Sequence, residues 1–118
     1  MLCYRQNGQK GKVSEKMKVI RIKPYMMPEL IEIDNTLEAM QKEVGGYIQA
    51  VYPWEDPVAV ICDEEGKLKR KPFNIELTDD DGNVYDIIVG TLLIVGLDEE
   101  GFTDIGEYKE KYYNMFDE

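Results

Sequence analysis

Between Thr91 and Gly96 the chain carries four consecutive large apolar residues, Leu92-Leu93-Ile94-Val95. A run this short cannot cross a bilayer as a helix, which takes about 20 residues. It also lacks the polar alternation that would leave one face to water, so it reads as a central strand of a sheet. Such a strand needs neighbours, and the flanking sequence supplies them. Val58 to Cys62 is a second apolar run and Tyr47 to Tyr52 a further strand, separated by the proline-braced loop Tyr52-Pro53-Trp54-Glu55-Asp56-Pro57. Lys18 to Lys23 alternates, with Ile20 and Ile22 on one face, which predicts a half-buried strand ended by Pro24. Leu30 to Asp34 alternates again, and the short link through Tyr25-Met26-Met27-Pro28 predicts an antiparallel hairpin.

Helical spacing enters at Leu37, Met40 and Val44. Asn35 paired with Glu38 forms a capping-box-like start, and Thr36 serves equally well as the cap. Gly45-Gly46 stops the helix, because glycine takes the left-handed C-cap conformation without steric cost. Asp63-Glu64-Glu65-Gly66-Lys67 predicts a turn with Gly66 at a position of positive φ. Phe73 to Leu77 is ambiguous between strand and helix. Asp79-Asp80-Asp81-Gly82-Asn83 is a turn into a strand over Val84 to Val89. Asp104 and Glu107 open a terminal helix whose apolar residues are Tyr108, Tyr112, Met115 and Phe116. The pattern predicts an α+β domain, a small and mostly antiparallel sheet of five or six strands with one inserted helix (about 36–45) and a C-terminal helix (about 105–116).

Charge limits the partners. The 118 residues hold 14 Lys and Arg against 24 Asp and Glu, a formal net charge of -10. A surface this acidic gains no affinity from phosphate neutralisation, so direct DNA binding is not expected, and an anionic membrane would repel it. The charge is also uneven. Residues 1–16 carry four bases and one acid, whereas residues 17–118 carry ten bases and 23 acids. The opening stretch has no apolar run of the signal-peptide or anchor kind and reads as a flexible basic tail ahead of a single domain over 17–118. Two cysteines, Cys3 and Cys62, do not make a disulfide framework; a cytoplasmic protein is expected, with Cys62 as a buried small hydrophobe.

The residues for chemistry are sparse. The chain has no histidine, and its one serine, Ser14, lies in the tail, so a Ser-His-Asp triad cannot be built. There is no phosphate loop and no dinucleotide fingerprint. Aligning Gly82 with the glycine of a calcium loop places Leu77 and Ile88 where carboxylates are required, so that motif fails at both ends. No catalytic residue, metal ligand or cofactor is assigned. The remaining features are three acidic clusters, Asp63 to Glu65, Asp79 to Asp81 and Asp98 to Glu100, one basic island, Lys67 to Lys71, and the lone tryptophan. Acidic turns confer solubility; rows of carboxylates also imitate nucleic-acid phosphates and can occupy a basic groove on another protein. The basic island reads as a solvated edge or a guard against strand pairing, with contact to RNA or an acidic partner patch as the alternative. Trp54 is either an interface anchor or a cover for one edge of the core. The expected partner-binding set is Glu64, Glu65, Asp79, Asp80, Asp81, Asp98, Glu99, Glu100 and Trp54.

Four stretches together carry a family resemblance: Asn35 to Gln41, Val44 to Ile48, Val60 to Leu68 and Tyr85 to Thr91. Over about residues 17–116 the chain resembles a family of small domains of unknown function, encoded largely on phages and mobile elements of Gram-positive bacteria. The resemblance brings no catalytic residues. It implies a role against host defence, through relatives associated with type II-A anti-CRISPR proteins that act on Cas9. The expected function is therefore non-catalytic docking on Cas9 or its guide-RNA complex, whose channels are basic. A module that binds or sequesters a nucleotide is the alternative, followed by a metal-dependent hydrolase.

Overall fold

The computed structural model describes residues 15–117, so the expected tail over 1–16 lies outside the described residues apart from Glu15 and Lys16. Eight strands and two helices follow in the order β1 Lys16–Ile22, β2 Glu29–Asp34, α1 Leu37–Val44, β3 Ile48–Val51, β4 Val58–Asp63, β5 Phe73–Thr78, β6 Val84–Val89, β7 Leu92–Asp98, β8 Gly101–Thr103 and α2 Lys109–Phe116. A 3-10 turn, Gly106–Tyr108, leads into α2. The main sheet has six antiparallel strands in the order β2-β1-β7-β4-β3, with β8 paired to the second half of β7; β5 and β6 form a separate hairpin. This is the expected α+β fold.

The apolar run takes the central place that its composition demands. Leu92, Leu93, Ile94 and Val95 are all buried, and β4 beside them is buried at every position. Side chains alternate across these strands, which divides the core into two layers. Ile20, Ile22, Val60, Leu92 and Ile94 pack beneath α2 and the β5–β6 hairpin, together with Trp54, Leu77, Ile88 and Tyr112. Met17, Val19, Ile61, Leu93 and Val95 pack with Met40 and Val44 of α1.

Several local expectations change. β1 is buried on both faces rather than half-buried, because α1 covers Met17 and Val19 on the side opposite Ile20. Phe73 to Leu77 is a strand, and Gly101–Thr103 adds a short one that no alternation marks. Thr36, not Asn35, caps α1 by accepting the Ala39 N–H at 3.1 Å. Gly45 ends α1 at φ 83, as its position predicts. Gly66 does not take positive φ; a Cβ there would press on Val89, and the left-handed residue of that turn is Arg70, φ 58.

Candidate functional site

In all three acidic clusters the first carboxylate is consumed by its own turn. Asp63 Oδ1 accepts the Glu65 N–H at 2.9 Å, Asp79 Oδ1 accepts the Asp81 and Asn83 N–H groups, each at 2.9 Å, and Asp98 Oδ1 accepts those of Glu100 at 2.8 Å and Gly101 at 3.1 Å. Short acidic side chains fold back on backbone N–H groups in this way and set the turn. Asp80 adds a long-range link, accepting the Glu55 N–H at 2.9 Å. The acids that follow, Glu64, Glu65, Asp81, Glu99 and Glu100, are exposed.

The clusters do not share one surface. β4 and β7 are antiparallel, with Val58 opposite Gly96 and Ile61 opposite Leu93. Asp63 and Asp98 therefore close opposite ends of the sheet, about 20 Å apart for strands of this length. The β5–β6 turn joins the Asp98 end, because Asp80 is tied to Glu55 and the Leu97 N–H donates to the Pro57 carbonyl. One end thus collects Glu55, Asp56, Asp79, Asp80, Asp81, Asp98, Glu99 and Glu100. Two bases at this end are held by carboxylates, Lys111 by Asp56 at 2.6 Å and Lys16 by Asp34 at 2.7 Å, while the Lys18 side chain is exposed on the same half of β1.

The opposite end holds Glu64 and Glu65 beside the basic island, which is not simply a solvated edge. Lys71 and Lys69 reach the Asp63 Oδ2 atom at 2.6 and 2.9 Å, and the Asp63 side chain is only 1% exposed. The same ammonium groups cap the C-terminus of α1, Lys71 donating to the Val44 carbonyl at 2.7 Å and Lys69 to that of Gly45 at 3.2 Å. Cations there satisfy orphan carbonyls and oppose the helix dipole. Burial alone would raise the Asp63 carboxyl, but hydrogen bonds from Lys71, Lys69 and the Glu65 N–H outweigh it and hold the group down at about 2. Lys67 pairs with Asp86 at 3.2 Å. Six of the eleven described Lys and Arg side chains are in ion pairs, while Arg70 projects from its turn.

Trp54 occupies the core rather than presenting its ring to a partner. The residue is 8% exposed, donates from Nε1 to the Thr78 carbonyl at 2.9 Å, and packs its ring against that of Tyr112, tilted by 35° with centroids 4.6 Å apart. The Tyr112 hydroxyl donates to Asp56 at 2.8 Å, which closes the loop against α2. The two prolines that suggested a rigid interface loop instead brace the lid of the core.

The hollows offer little reactivity. One of about 90 Å³ is lined by Gln49, Cys62, Asp63, Glu64, Lys67 and Asp86 among others. Burial first, then the charges of Asp86 and Asp63, push the Cys62 thiol up to about 11, which disfavours the thiolate needed for nucleophilic attack. Among the described residues no group of three Cys, Asp or Glu is placed to hold a metal ion, and no helix is long and apolar enough to cross a membrane. A larger groove, about 340 Å³, lies between α2 and β2, lined by Leu30, Lys109, Glu110, Tyr113 and Asn114. Sequence reasoning passed over it, since Leu30 reads simply as one apolar position of an alternating strand.

The fold and these surfaces define a small antiparallel α+β domain whose charge is polarised along its strands. A family model described as a domain of unknown function, DUF3846, matches residues 17–117, and the chain belongs to that family. No curated protein and no solved structure matches it.

Proposed function

We propose that the chain is a non-catalytic binding protein that docks its acidic end on a basic protein surface. The proposed partner is Cas9 or its guide-RNA complex, and the chain acts as a mobile-element inhibitor of host defence. The observation that carries the reading is the separation of charge. Asp79–Asp81 and Asp98–Glu100 flank one loop at one end, whereas the basic island is drawn to the other end by Asp63. A field of one sign over one end steers encounter with the opposite sign. The contact set contracts accordingly, with Glu64 and Glu65 leaving it for the mixed end and Trp54 leaving it for the core.

Native-gel binding to purified Cas9, with and without guide, together with a DNA-cleavage assay, tests this. Asp81→Lys, Glu99→Lys and Glu100→Lys combined spare the turn-forming carboxylates and should abolish complex and inhibition. Glu64→Lys with Glu65→Lys should leave both in place. No complex with unaffected cleavage, or equal loss in both variants, overturns the reading.

A further inference from the structure

Among the described residues β2 is the terminal strand of the main sheet, and its register against β1 is unbroken over all six residues, Glu29 to Asp34. The strand contains neither proline nor bulge, two of the devices that blunt such an edge; its charges, Glu29, Glu32 and Asp34, guard it against acidic strands only. Alternate residues therefore direct N–H and C=O groups away from β1, and among the described residues no strand receives them. The opposite edge, β3, is only four residues long. Beside the β2 edge, on the α2 side, lies the groove lined by Leu30, Tyr113 and the stem of Lys109. Leu30 is 44% exposed there, at the open side of an otherwise packed layer.

We infer that this edge and groove bind an extended peptide segment of a partner protein by strand addition. The chemistry of the occupant follows from the face. A row of unpaired backbone groups is matched only by another extended strand. The residue opposite Leu30 shares its face and fills the groove, so it is large and apolar. Two positions along, the same face meets Glu32, which is exposed and in no ion pair among the described residues, so a lysine or arginine is favoured there. Asp34 on the same face is neutralised by Lys16 at 2.7 Å, which leaves Glu32, opposite Lys18 in the β1 register, as the carboxylate open to an added strand. A second copy of the chain is a poor occupant, because pairing β2 with β2 sets Glu29, Glu32 and Asp34 against the same acids. The surface is distinct from the acidic end and does not rest on the docking reading above.

The test uses a capped threonine peptide with one central leucine and a lysine two positions to either side, titrated into the full chain and followed by amide NMR. Shifts should be confined to β2 and the facing side of α2. Methylating alternate backbone nitrogens of the peptide, which keeps its charge but removes strand hydrogen bonds, should weaken binding at least about tenfold. Leu30→Glu and Glu32→Lys should do the same, and Glu32→Gln should weaken it less. Unchanged melting temperatures show that these variants fold. Absence of binding, shifts centred on Asp79–Asp81 and Asp98–Glu100, indifference to methylation, or formation of a chain dimer through β2 would each overturn the inference.

Discussion

Replacing Asp63 with asparagine tests the node that holds the basic island in place. The side chain keeps its size but loses its charge, leaving Lys69 and Lys71 facing each other over the end of α1. The carboxyl lies at about 2 in the folded protein against an ordinary value of 3.8, a difference equivalent to about 2 kcal/mol at neutral pH. Removing one partner of a buried pair costs about 3–5 kcal/mol. The lysine side chains here are 40% and 22% exposed and can turn toward water, so the lower figure applies and a loss of about 2–3 kcal/mol is expected. The sign follows from the direction of the shift. A depressed carboxylate stabilises fully above its unfolded pKa and loses that contribution as pH falls through the folded value. The gap between wild type and Asp63→Asn should therefore be constant near neutrality and close between about pH 4 and pH 2. Urea denaturation at several pH values, followed through Trp54 fluorescence, reads it directly. A loss below about 0.5 kcal/mol, or a gap that persists at the acid end, would refute the assignment. Lys71→Met should cost more than Lys69→Met, since Lys71 is the more buried and closer to Asp63.

Three further outcomes are expected. Trp54→Phe removes the bond to the Thr78 carbonyl and part of the ring contact with Tyr112, for a loss of about 1–2 kcal/mol in urea denaturation followed by far-UV circular dichroism, since the fluorescent probe is gone. Gly96→Ala should cost about 2–4 kcal/mol, because a Cβ there collides with the Asp104 carbonyl oxygen where the chain crosses β7; calorimetric melting checks it. Cys62, in a chain carrying Cys3→Ser, should react with a thiol reagent at pH 8 far more slowly than an ordinary cysteine. Its thiolate population is about a hundredfold lower than that of a thiol at 9.0, and reactivity should return in urea.

Much of the fold was legible because burial writes directly into periodicity. Leu92 to Val95 and Val58 to Cys62 could only be central strands, and Leu37, Met40 and Val44 with Gly45 could only be a short capped helix. β1 misled because its outward set, Val19 and Arg21, mixes one buried and one ion-paired residue, so alternation understated the second layer. β8 is three residues held by the Asp98 turn, too short for any period. The charged segments were the least legible. A carboxylate that caps its own turn and one that projects into water have the same letter, and Asp63, Asp79 and Asp98 differ from their neighbours only in the backbone that meets them. Likewise Lys69 and Lys71 read as a solvated patch until the fold brings Asp63 and the end of α1 to them. Trp54 shows the converse, since its flanking prolines are equally suited to a surface anchor and to a core lid.

The most direct test of the docking claim is amide hydrogen exchange of the chain, free and in the presence of Cas9 bound to its guide. The account predicts protection over the 52–57 loop, the 79–83 turn and residues 98–101, with the 64–71 segment unchanged. Protection centred on 64–71, or no protection at concentrations where cleavage is inhibited, would contradict it.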